Sequence, residues 1–146
     1  MIRVTQKFRF SASHRLHAAE LSEDANRELY GRCNNPYGHG PNYEIAVTAR
    51  GPVDDTTGRA VDIRVLERLV AEHVVGPLDQ KSLNADIAEF QTKVPTTENL
   101  AVEIYQRLSQ AWRSAFPGEW PVLEKVRIAE TSRNIFEIGE AHGGQK

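Results

Sequence analysis

Residues 33–50 read CNNPYGHGPNYEIAVTAR, a run of turn formers passing directly into an alternating segment. From about Asn42 to Arg50, Tyr43, Ile45, Val47 and Ala49 take every second position, the period of a strand with one buried face. The loop ahead of it, rich in Asn, Gly and Pro, carries the only cysteine, Cys33, and one of five histidines, His39. A thiol and an imidazole on a constrained loop feeding a sheet sit where binding and catalysis usually lie. Taken alone, the stretch slightly favours a small buried Cys33 and an ordinary surface His39. The rest of the chain changes that balance.

Upstream, residues 2–12 alternate as well, with Ile2, Val4, Phe8, Phe10 and Ala12 on one side and Arg3, Thr5, Lys7, Arg9 and Ser11 on the other. Continued by two residues, this strand puts His14 on the Phe10 face at its end. Residues 15–32 are polar and aperiodic, a long loop with at most a short helical turn. Downstream of Gly51-Pro52 and a turn, Asp62 can cap a helix with Ile63, Leu66, Leu69, Val70 and Val74 at helical spacing, stopped by Gly76-Pro77. An irregular stretch from Leu78 to Pro95 follows, carrying Asp79 and Gln80. Thr96 or Thr97 caps a second helix, with Glu98 in its first turn, Leu100, Ile104, Leu108 and Ala111 as its stripe, and Phe116-Pro117-Gly118 as its end. Strands at about Val122–Glu130 and Asn134–Ile138, joined through Thr131-Ser132-Arg133, imply a closing antiparallel hairpin.

The order is strand, strand, helix, helix, strand, strand. That predicts an α+β domain over residues 1–140, a four-stranded antiparallel sheet with two helices on one face, and a disordered tail at 141–146. Open sheet edges predict pairing with other copies of the chain. At 146 residues the chain is one domain's worth, with enough length for a core. A net charge of −2 gives no electrostatic reason to expect nucleic acid or an anionic membrane as partner. A lone cysteine excludes an internal disulfide and fits a cytoplasmic location, and no apolar run reaches membrane-spanning length.

Five strings in this order, FSASHRL, CNNPYGHGPNY, PLDQKSLN, PTTENLA and AETSRN, resemble the 6-pyruvoyltetrahydropterin synthase family, which includes the 6-carboxytetrahydropterin synthases. The resemblance runs from about Phe8 to Gly139. It implies the tunnelling fold (T-fold), a homohexamer of stacked trimers with active sites between subunits, and carbon–oxygen lyase chemistry on a pterin or pterin-like substrate. It also implies a zinc ion on three histidines. His14 and His39 match two of them, but the position of the third is Pro41, which has neither a side-chain lone pair nor an N–H. His17 in the long loop is a candidate replacement ligand or base. Cys33 and Asp79 match the family's acid/base cysteine and aspartate, while the histidine expected after the aspartate is Gln80, an amide that does not titrate. Glu130 matches the glutamate that receives the amino-pyrimidine edge of the pterin, and Thr96 and Thr97 border the same site, with helix capping an equal reading for both. His73 reads as structural, and His142 lies in the tail.

The resemblance therefore implies a pterin-site enzyme with altered chemistry on dihydroneopterin triphosphate or a relative of it. A metal-free enzyme on the same fold acting on another small molecule is the alternative. A non-catalytic pterin-binding or partner subunit comes third, because it gives Cys33, Asp79 and Glu130 no reason to occur together.

Overall fold

The computed structural model describes residues 1–35, 40–131 and 133–140, leaving the side chain of Thr131 aside. His39, Ser132 and the 141–146 tail lie outside the described residues. The strands are β1 (Ile2–Ser13), β2 (Asn42–Gly51), β3 (Lys81–Ser82), β4 (Val122–Thr131) and β5 (Asn134–Gly139). They form one sheet in the order β3-β1-β2-β4-β5. β1, β2, β4 and β5 pair antiparallel, as the alternation predicts. The expected count of four is corrected to five. β3 is only two residues long and pairs parallel with Ala12 and Ser13, so the sheet is mixed.

One face of the sheet is dry. Phe10, Ala12, Tyr43, Ile45, Val47, Ala49, Val126 and Ile128 all belong to the buried core. Burial along β1 is graded: Ile2 is exposed, Val4 and Phe8 are half-buried, and Phe10 and Ala12 are buried. The sheet is thus best covered at the end where β2 begins at Asn42.

The long helix α5 (Thr97–Ala115) packs on β4 and β5. Thr96 caps it by accepting the Asn99 N–H, and Leu100, Ile104 and Leu108 are fully buried. Asp62 caps α2 (Ile63–Val70) by accepting the N–H groups of Arg64 and Val65. Here the structure departs from expectation, because Gly76-Pro77 does not stop this helix. The backbone widens into a π turn over Ala71–Val75 and continues as α3 (Gly76–Leu78). The Gly76 N–H reaches back five residues to the Ala71 carbonyl, and a Cβ at Gly76 would lie 2.7 Å from that oxygen. Glycine is what lets the turn open, and the opened turn accommodates a proline with no N–H to return.

Two stretches read as irregular contain further helix. Within 15–32 lies α1 (Glu23–Tyr30), capped by Ser22 and followed by a 3-10 turn at Gly31–Asn34. Within 78–95 lie β3, α4 (Leu83–Asp86) and a 3-10 turn at Ala88–Gln91. The only buried residue of α1 is Asn26. Its amide donates to the carbonyls of Ala18, Leu21 and Ser22, and its oxygen accepts the Ala18 N–H. A helix organised around an amide carries no apolar stripe to read. No helix among the described residues is long and apolar enough to cross a membrane.

Candidate active site

The well-covered end of the sheet is where three strands deliver side chains to one place. β1 runs out at His14, β2 begins beside Tyr43, and β4 ends at Glu130. All three continue the core-facing parity of their strands, and Phe10 stacks on Tyr43 with ring centroids 5.2 Å apart. Between Ala129 and Thr131 the β4–β5 register slips, so Glu130 is the extra residue of a bulge. Bulges re-aim side chains, and this one sits at the well-covered end of the sheet.

His14 is 1% exposed. Its Nδ1 lies 3.1 Å from the Pro95 carbonyl oxygen and 3.2 Å from the Tyr43 hydroxyl. A carbonyl can only accept, so Nδ1 carries a proton, and in the neutral ring Nε2 holds the lone pair. Nε2 is 4.0 Å from Glu130 Oε1. The Thr97 hydroxyl donates to that same oxygen at 3.2 Å. Thr97 is buried, and its hydroxyl contacts Glu130 directly. Thr96 next to it spends its hydroxyl on the helix cap.

Asp79 follows α3, so the π turn sets its position. Its Oδ1 accepts the Ser11 N–H at 2.9 Å and lies 3.4 Å from the Gln80 amide. Ser11 returns its carbonyl to the Gln80 N–H at 2.6 Å, with Gln80 in the left-handed region at φ 62°. Asp79 and Glu130 line one open cavity of about 570 Å³, together with Phe10, Ser11, Asn42 and Tyr43.

Cys33 sits half-buried in the 3-10 turn, which is tied to the end of β1 by the Leu16 N–H on the Cys33 carbonyl at 2.7 Å. Burial pushes its thiol up, the negative charge of Glu130 pushes it further, and the Arg32 guanidinium partly opposes both. The Tyr43 hydroxyl is pushed well above its ordinary range by burial first, then by Glu130 and Cys33. Cys33 and Glu130 therefore feel each other, whereas Cys33 and Asp79 share no hydrogen bond. Tyr43 was legible in the sequence only as a strand residue. The signal available was that a buried tyrosine needs a partner for its hydroxyl.

His17 is held elsewhere. The Asn34 amide nitrogen donates to the Leu16 carbonyl at 2.7 Å and faces His17 Nδ1 at 3.1 Å. That nitrogen is fixed as a donor, so Nδ1 accepts and Nε2 keeps the proton. The neutral ring in this setting has no lone pair left for a metal.

The comparisons with known proteins bear on this geometry. A sequence model of the family described as 6-pyruvoyl tetrahydropterin synthase matches residues 3–141. The chain belongs to the 6-pyruvoyl tetrahydropterin synthase family. It is similar to the 6-pyruvoyl tetrahydrobiopterin synthase of Poecilia reticulata, 44% identical over 132 residues that cover 90% of this chain and 86% of that one. The Homo sapiens protein of the same name is 41% identical, covering 90% and 87%. The solved 6-pyruvoyl tetrahydropterin synthase of Caenorhabditis elegans superposes with a TM-score of 0.86 at 37% identity, covering 95% of each chain. The T-fold expected from the resemblance is thereby established for this chain.

The family likeness implies zinc, and the described residues hold only part of the expected ligand set, because His39 lies outside them. Position 41 is a buried proline, and His17 Nδ1 is committed to Asn34. Among the described residues no group of three His, Cys, Asp or Glu could hold a metal ion.

Proposed function

We propose that this chain is a pterin-binding member of its lyase family, with Glu130 as the ligand anchor and Cys33 and Asp79 as the groups that move protons. The observation that carries the reading is the Glu130 carboxylate. It is about one-fifth exposed, steadied by the Thr97 hydroxyl, and opens on a cavity shared with Asp79. An ionised carboxylate is acceptor-only, and its two oxygens match the paired N–H donors of an amino-pyrimidine edge. The names of the relatives point to the same class of ligand, and dihydroneopterin triphosphate is the substrate this reading takes.

The proton chemistry follows from the same geometry. Cys33 keeps its proton at neutral pH, which suits it to donate to a leaving oxygen on the substrate side chain. Asp79, oriented by the Ser11 amide, is the group placed to accept one. Gln80 adds a hydrogen-bond donor where an imidazole would have relayed a proton. No step is assigned to a metal: Pro41 offers no ligand, and His39 lies outside the described residues. The reading carries a homohexamer, on the family likeness and the open sheet edges, and a cytoplasmic location, on the lone cysteine.

The test is binding of neopterin by fluorescence titration to the intact protein and to Glu130→Ala. Loss of two charged hydrogen bonds removes roughly 3 kcal/mol, about a hundredfold in Kd. Retained binding by the variant overturns the anchor. The incomplete metal set favours a second reading, a metal-free enzyme for a different heterocycle. Tight binding of another cyclic amidine with none of any pterin would select it.

A further inference from the structure

The parallel pairing of β1 with β3 matches Ala12 to Lys81 and Ser13 to Ser82. Continued by two places, the same register sets Arg15 opposite Asn84. By then the partner chain has turned into α4, so its backbone cannot extend the ladder. The Asn84 side chain extends it instead. Its oxygen accepts the Arg15 N–H at 2.6 Å, and its amide nitrogen donates to the Arg15 carbonyl at 2.9 Å. A carboxamide has a C=O and an N–H to offer, as a peptide unit of a neighbouring strand has. We infer that Asn84 is a positioning residue that holds the Cys33 turn in place relative to Asp79.

The reason is what hangs on residues 11–16. At Ser11 the N–H is given to Asp79 Oδ1 at 2.9 Å, and the carbonyl is taken by the Gln80 N–H at 2.6 Å. Five residues on, the Leu16 N–H donates to the Cys33 carbonyl at 2.7 Å. Two further bonds join the same segments, from Arg15 Nε to the Asn34 carbonyl and from the Asn34 amide to the Leu16 carbonyl. Cys33 and Asp79 share no hydrogen bond, yet both are fastened to this one length of chain, Asp79 at its start and Cys33 at its end. Asn84 grips it at Arg15, between His14 and the Cys33 attachment. Because Asn84 lies shortly after Asp79 in sequence, its grip ties the far end of the length back to the segment that carries Asp79. Leu83 beside it is fully buried, so Asn84 is anchored by the core and not by the site. Without the grip, the exit of β1 and the Cys33 turn remain bonded to each other and are free to shift together away from Asp79. A misplacement of about 1 Å between reacting groups is enough to cost a large part of the rate. Glu130 and Thr97 come from β4 and α5 and take no part in this arrangement. Ligand anchoring and the placement of the proton-moving groups are therefore built separately.

The effect on turnover rests on the pterin reading, whereas the effect on Cys33 does not. Asn84→Ala is compared with Ser82→Ala, which strips the cap from the same short helix and leaves both Asn84 bonds in place. Each variant is checked for folding by circular dichroism. With dihydroneopterin triphosphate, Asn84→Ala is expected to lower kcat about tenfold or more with KM unchanged, the mark of a group misplaced for the chemical step. Ser82→Ala is expected to keep both constants. With iodoacetamide, Cys33 of Asn84→Ala is expected to react about threefold faster or more, because a released turn exposes a thiol that burial now protects. Ser82→Ala is expected to react as wild type does. Asn84→Asp keeps the acceptor for the Arg15 N–H and loses the donor to its carbonyl, so it is expected to fall between wild type and Asn84→Ala in both assays, and it carries the test if the alanine variant does not fold. An unchanged Cys33 rate in the Asn84 variants, or an equal change in Ser82→Ala, overturns the positioning role. A wild type that turns over no pterin overturns the pterin reading alone, and the iodoacetamide comparison still decides what holds Cys33.

Discussion

At the scale of single residues, the site is a set of mutual constraints around Glu130. Its charge helps keep the Cys33 proton on, and Arg32 pulls the other way. The pH dependence of iodoacetamide alkylation reads this directly. The midpoint is expected above that of a free thiol, to move down in Glu130→Gln, and to move up in Arg32→Ala. A midpoint at the free-thiol value would show that the burial and the carboxylate do not act on Cys33. Tyr43→Phe removes a hydroxyl from His14 Nδ1 but leaves the Pro95 carbonyl in place. The expected cost is about 1 kcal/mol, seen as a small drop in the urea midpoint, because His14 retains a partner. A loss several times larger would mean the tyrosine, not the carbonyl, orients the ring.

At the scale of elements, the legible parts of the chain were those with a period. β1, β2 and the stripes of α2 and α5 follow two-residue or helical spacing over enough length to register, and Asp62 and Thr96 cap as their side chains suggest. β3 was invisible because two residues have no period. α1 was passed over because its buried residue is an asparagine, although Ser22 followed by two acids was a readable N-cap signal. Gly76-Pro77 was misread as a terminator because a π turn relaxes the conflict that proline usually creates in a helix. At the site, Glu130, His14 and Asp79 were legible through motif likeness. The bulge that aims Glu130 and the Thr97 contact were not, since both depend on register between strands distant in sequence. Gly76→Ala separates propensity from packing. In an ordinary helix the change gains about 1 kcal/mol, whereas here the new Cβ meets the Ala71 carbonyl at 2.7 Å. Backbone cannot yield cheaply, so the expected result is net destabilisation of about 1–3 kcal/mol by thermal melting, with weakened ligand binding through the displaced Asp79. A rise in Tm would disprove the π-turn account.

At the scale of the whole molecule, β1 over most of its length and β5 are the sheet's edges. Neither edge has a further partner strand among the described residues, and Ile2 and Ile135 are exposed large apolar residues on these same strands. A 16.4 kDa chain with such edges is expected to sediment as a hexamer at micromolar concentration. Sedimentation equilibrium giving a monomer mass would remove the assembly from the proposed function.

The Ser11 main chain offers a spectroscopic handle on the chemistry. Its amide proton is held by the Asp79 carboxylate, while its carbonyl is held by the amide of Gln80. The ¹H–¹⁵N resonance of one backbone amide therefore senses the charge on one candidate catalytic group. Taking up a proton on Asp79 during turnover weakens that bond and moves the Ser11 signal upfield, and the Gln80 amide, the peptide N–H that follows Asp79, responds as well. Two backbone amides from distant parts of the chain thus report together on the movement of one proton.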